Sequence, residues 1–123
     1  MFPIQSAPAR REILVHAKAR LDQLALYPAP VQIERVLFLV WPLLFRLPWF
    51  RRFDGYSAWN AVFFRSETTA ADGDLVTHEL CHVWQMQHRP LAMPLSYLRL
   101  GYADNPYEAE ARRAVEATRL PAP

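Results

Sequence analysis

Apolar positions first recur at helical spacing in the N-terminal part of the chain. Ile13, Ala17, Leu21 and Leu24 share one face, which predicts a helix from about Ala9 to Leu26. Tyr27-Pro28-Ala29-Pro30 ends it, because proline cannot continue a helix. A second helix is expected from Ile33 to about Trp41, bending or stopping at Pro42, with a further break at Leu47-Pro48. Asp54-Gly55 is a turn signal, and the aromatic-rich stretch Tyr56 to Arg65, with Val62-Phe63-Phe64, is the best strand candidate. Glu67 to Gly73 reads as a polar loop. Asp72 or Asp74 then caps a helix that runs to about His88 and stops at Arg89-Pro90. Pro94 to Leu100 is expected as a short helix. Asn105-Pro106-Tyr107-Glu108 opens a last one, which ends before Pro121. Mostly helical elements beside one short sheet or hairpin predict an α+β fold.

A length of 123 residues fits a single domain, 1–123, with Met1 to Pro8 as a loose arm. No internal repeat or low-complexity tract is visible. Apolar residues make up 52% of the chain, which argues against disorder. The net charge of +2 is too small to argue for nucleic acid, and the arginines are scattered without an accompanying nucleic-acid motif. The single cysteine, Cys81, rules out an internal disulfide and favours a reducing compartment. Met1-Phe2-Pro3-Ile4-Gln5 does not begin a signal peptide, so a cytoplasmic location is expected.

One segment changes this picture. Val36 to Phe45 is an unbroken apolar run interrupted only in kind by Pro42, and Arg46, Arg51 and Arg52 follow it among Trp49 and Phe50. Ten residues are too few to span a bilayer, which needs about 20. The run reads either as a buried core helix or as a patch for peripheral membrane or protein contact.

The chemistry lies in the predicted helix that ends at His88. His78-Glu79-Leu80-Cys81-His82 is an H-E-x-x-H pentapeptide. With His78 at zero on a helical wheel, His82 lies about 40° away, Gln85 about 20° to the other side and Glu79 near 100°. Val76, Leu80 and Val83 fall opposite. One stripe therefore anchors the helix while two imidazoles face a cleft, where they can hold one metal ion with Glu79 beside it as general base. Gln85 borders the ligands and is a candidate to hydrogen-bond one of them. Cys81 sits beside the stripe and reads as a small buried filler, with thiolate ligation as the alternative. His88 reads as a surface or capping residue at the helix end, and His16 as structural.

A catalytic zinc site needs a third protein ligand. His88 stands at the metzincin position, but that pattern requires glycine at position 85, where this chain has Gln85. Glu108 and Glu110 remain. Glu108 is also explained without metal, as the N3 residue of a capping box opened by Asn105.

His78 to Gln85, followed by Asn105-Pro106-Tyr107-Glu108-Ala109-Glu110-Ala111, resembles the gluzincin metallopeptidases. It is most similar to the small zincin-like domains in core proteins of extracellular contractile injection systems, with H-E-x-x-H-x-x-Q and N-P-x-E-x-E-A. The resemblance covers residues 78–85 and 105–111. It implies a minimal zincin-like domain that hydrolyses peptide or protein substrates. It implies Zn2+ held by His78, His82 and Glu108, with Glu79 as general base. It also implies an edge strand before the metal helix that receives an extended substrate. Arg112 stands where the family usually has an Asp that orients a ligand histidine. Gln85, Tyr107 and Arg112 are candidates to orient ligands or to steady an oxyanion, and Tyr102 and Arg119 are further oxyanion candidates. The alternative function is a catalytically weak or inactive zinc-binding interaction or structural module.

Overall fold

The computed structural model describes residues 7–119 and is α+β. Helix α1 spans Ala7–Leu21, strand β1 Leu37–Val40, β2 Gly55–Ala58 and β3 Ala61–Phe64. Helices α2 (Glu67–Ala70), α3 (Gly73–His88), α4 (Ala92–Leu100) and α5 (Pro106–Thr118) follow. The strand order is β1-β3-β2, with β1 parallel and β2 antiparallel to the central β3. Helix α3 is the centre of the molecule, with α1 and α5 packed on it and β2 crossing beside it. The arm expected at Met1 to Pro8 lies outside the described residues up to position 6, and Ala7 already belongs to α1.

Four expectations about elements need correction. Helix α1 stops at Leu21 rather than Leu26, and its last turn tightens into bonds from Gln23 N–H to Arg20 O and from Leu24 N–H to Leu21 O. Pro28 and Pro30 lack the N–H groups that would bond the carbonyls of Leu24 and Leu26, so no further helical turn forms there. Leu24 and Leu26 still pack against the core as coil. The expected helix over Ile33 to Trp41 is absent, and the apolar run instead supplies β1. A short run with apolar residues on every side carries no period, and pairing with β3 decides it. Pro42 ends the strand, and Leu44–Arg46 forms one 3-10 turn. The single strand expected from Tyr56 to Arg65 is a hairpin that turns at Trp59-Asn60, with Trp59 at φ +50°. The turn has no glycine and so left no local signal. The expected polar loop after it contains α2, capped by Ser66, whose side chain accepts a bond from Thr69 N–H.

The site-bearing helices end where the sequence predicts. Asp72 caps α3, accepting from the N–H groups of Asp74 and Leu75, and Asn105 caps α5, accepting from Tyr107 N–H. Arg20 fastens α1 to both. It donates to Asp74 Oδ1 at 2.9 Å, to Val115 O at 3.0 Å and to Thr118 Oγ1 at 3.1 Å. Beneath the site, Leu80, Val83 and Trp84 on α3 meet Leu21, Val62 and Phe64 in the core. Trp84 is buried, and its indole N–H donates to Ala29 O at 2.8 Å. Trp84→Ala therefore opens a large cavity and removes the shorter of the two hydrogen bonds to Ala29 O, leaving the one from His88. The expected loss is about 3–5 kcal/mol, read as a lower midpoint in urea with an unchanged slope. No helix among the described residues is long and apolar enough to cross a membrane.

Candidate metal centre

His78 and His82 lie one turn apart on α3, and Glu108 reaches them from the first turn of α5. Glu108 Oε1 lies 2.7 Å from His78 Nε2, and Oε2 lies 2.9 Å from His82 Nε2. The two Nε2 atoms are 3.2 Å apart. Three ligands at zinc's usual bond lengths on a tetrahedral frame stand about 3.3 Å from one another. The donor set observed is only slightly tighter, so a small widening admits one ion. Two imidazole nitrogens and a carboxylate oxygen are also a donor set that suits zinc.

The capping explanation of Glu108 fails here. Asn105 caps α5 alone, while the Glu108 carboxylate is buried and turned toward the imidazoles. Glu110, the other candidate ligand, lies elsewhere. Its Oε1 accepts from Tyr27 O–H at 2.7 Å and from Gln85 Nε2 at 3.1 Å. Glu110 thus acts on the His78, His82 and Glu108 triad only indirectly, through Gln85. Gln85 also donates to Tyr107 O at 2.9 Å, which leaves its Oε1 aimed at His82. His82 Nδ1–H donates to that oxygen at 2.8 Å, so Nε2 faces the donor set and its lone pair is free for a metal once the proton shared with Glu108 is displaced. A run of bonds from Tyr27 through Glu110 and Gln85 thereby orients one ligand. Gln85→Leu keeps the volume but removes the acceptor. It is expected to weaken divalent-metal binding at the triad about 10–100-fold in a competition titration with a chromophoric chelator.

Electrostatics follow from burial and pairing. Burial pushes the Glu108 carboxyl upward, but the hydrogen bonds from both imidazoles outweigh it and hold its pKa well below the usual carboxylate range. Burial pushes His82 downward, yet its bond to Glu108 and the nearby Glu79 charge leave it above the ordinary imidazole value. Glu79 is buried beside the pair, and burial raises its pKa although His82 and His78 pull it down. Glu79 owes its place partly to Gly55. A Cβ there would stand 3.2 Å from Glu79 Cγ and 3.3 Å from Leu75 Cδ1, so any other residue would have to push these side chains aside by a few tenths of an ångström. In sequence this glycine reads as a turn marker, and its closeness to Glu79 is a property of the fold.

Two tyrosines complete the surroundings. Tyr97 O–H donates to Glu108 Oε2 at 3.1 Å and Tyr102 O–H to Oε1 at 3.0 Å. Burial, with the Glu108 charge next, raises both phenols and keeps them protonated donors. Tyr97 was not singled out in the sequence, where nothing in its spacing ties α4 to the metal helix. Of the remaining candidates, Tyr107 contributes its backbone carbonyl to Gln85. Arg112 is half exposed with its guanidinium 4.0 Å from Glu108, and Arg119 is paired with Asp74 at 2.9 Å. Cys81 is buried away from the ligand set, in the core. His88 lies at the far end of α3, stacked on Tyr27 and 3.1 Å from Ala29 O, while His16 is exposed beside Glu12.

The centre opens in two directions. On one side lies an apolar cavity of about 380 Å3, walled by Trp59, Met86, Met93, Leu98 and the β2 residues Gly55–Ala58, with Glu79, His82 and Glu108 exposed to it. On the other side a polar cleft carries His78, Arg112, Glu116 and Arg119. No known protein family, curated protein or solved structure matches this chain.

Proposed function

We propose that the chain is a small zinc-dependent peptidase of the gluzincin type. The observation that carries this reading is the convergence of His78, His82 and Glu108 with Glu79 buried beside them, at the meeting of an apolar cavity and a polar cleft. His78 Nε2, His82 Nε2 and the Glu108 carboxylate are the residues that would hold zinc. When bound, zinc supplies Lewis acidity that activates water and polarises a carbonyl.

The remaining chemistry belongs to the chain. Glu79, buried beside the triad, takes a proton from the attacking water and returns it to the leaving amine. Tyr97 and Tyr102 keep their protons and donate hydrogen bonds to the Glu108 carboxylate, where they hold it in place and steady its charge. Strand β2 is an edge of the sheet and lines the cavity, so an extended peptide can lie along it by main-chain hydrogen bonding. Zinc-loaded protein is expected to cleave members of a random peptide library, read by mass spectrometry, and to stop when a chelator is added. An untouched library with fully zinc-loaded, folded protein would overturn the proposal. That outcome would favour the second reading, a zinc-binding module without chemistry. Its support is Arg112, which stands in place of the family's orienting Asp.

A further inference from the structure

Residues 36–53 contain only apolar residues, two prolines and three arginines, with no acidic or neutral polar side chain among the eighteen. The core uses few of them. Phe38, Phe45 and Phe53 are buried, while Leu37 is 60% exposed, Leu43 64% and Trp41 47%. The reason lies in the sheet. Phe38, Val62 and Phe64 point into the core, so their alternates Leu37, Leu39, Ala61 and Phe63 form the opposite face. An antiparallel or mixed sheet with one face in water ordinarily carries polar residues there. This face is apolar and continues through Trp41, whose ring lies 6.1 Å from that of Phe63, into Leu43 and the exposed Leu47. Arg46 and Arg51 border it and are exposed.

We propose that this face is a docking site for an anionic phospholipid surface. Exposed leucines and tryptophans in a stretch too short to span suit insertion to headgroup depth, with tryptophan at the boundary. The bordering arginines supply attraction to anionic headgroups, and the stretch has no acidic residue to oppose it. A second copy of the chain is disfavoured by the same charges, because a two-fold contact through this face would bring Arg46 and Arg51 toward their own equivalents. The proposal is independent of the peptidase reading, since the metal ligands lie on α3 and α5.

The test is co-sedimentation of the full chain with vesicles of phosphatidylglycerol and phosphatidylcholine in equal parts, against phosphatidylcholine alone. Binding is expected to the anionic vesicles, to be at least about tenfold weaker to the neutral ones, and to fall with added salt. Trp41→Ser with Leu43→Ser keeps the charge and is expected to abolish binding. Arg46→Glu with Arg51→Glu is expected to weaken it by about 25-fold or more. All four positions are exposed, and an unchanged circular dichroism melt confirms that each variant is folded. No binding to anionic vesicles by the folded parent overturns the proposal. So does binding that survives the Trp41/Leu43 pair, which would reduce it to general attraction of a basic protein. Sedimentation of the parent as a dimer that these same substitutions dissociate, without vesicle binding, would assign the face to a second copy instead.

Discussion

Glu79→Gln is expected to leave zinc binding intact and to reduce peptide hydrolysis by a factor of about 100 to 10,000, the usual contribution of a general base. The side chain is nearly isosteric, and Glu79 is absent from the converging donor set, so metal content measured by mass spectrometry should stay at the parent's value. The amide cannot accept a proton and carry it to a leaving amine. Because Glu79 is buried with its Cγ against Gly55, a neutral amide also removes a desolvated charge, and the variant is expected to melt no lower than the parent. This separates loss of chemistry from loss of structure. Equal cleavage by parent and Glu79→Gln protein, with zinc content matched, would show that another group is the base or that the activity is a contaminant. The pH profile supplies a second check. Glu79 acts only when deprotonated, so the rate of the zinc-loaded parent should fall on its acid limb as Glu79 takes up a proton, and the residual rate of Glu79→Gln should lack that limb.

Legibility in the sequence followed the range of the forces involved. The helix that carries His78 and His82, its cap at Asp72 or Asp74 and its end at His88 are readable in the sequence because period and capping act within a few residues, and the structure selects Asp72. Gln85 was placed beside the ligands by the helical angle alone. Its direction was not readable, because Tyr107 O and Glu110 on another helix set it. Glu108 and Glu110 are both plausible from spacing, and the fold divides them: one faces the imidazoles, the other orients the residue that orients an imidazole. Tyr97 reaches Glu108 from α4 through tertiary packing with no local pattern. The residues of strand β1 resemble a buried helix in the sequence for a different reason. Its outward positions are as apolar as its inward ones, so the alternation that betrays a strand is missing. The exposed face that hid the strand from the sequence is the same face proposed to meet lipid.

Glu108→Gln is expected to cost at least about a hundredfold in zinc affinity, more than the loss of an outer partner such as Gln85, while Glu110→Gln stays near the parent. The contrast tests the division of roles directly. An amide at 108 lacks the negative charge that balances a divalent ion and leaves two histidines as the only charged or nitrogen ligands. An amide at 110 can still accept from Gln85 and Tyr27 through its oxygen, so the bond that orients His82 survives. Equal zinc loss in both variants, or loss at 110 alone, would reverse the assignment. Acid acts on the same equilibrium. Zinc must displace the proton that Glu108 stabilises on His82, so affinity should fall by about tenfold per pH unit for each proton displaced, starting above the ordinary imidazole value. In chelator-treated protein the sign differs. A histidine whose folded pKa is raised stabilises the fold below its unfolded value near 6.5, and the gain fades as pH rises through the folded value. Glu108→Gln should therefore lower the melting temperature of the chelated protein most at mildly acidic pH. It should have little effect once His82 is neutral in both states, and a loss confined to alkaline pH would contradict the pairing of His82 with Glu108.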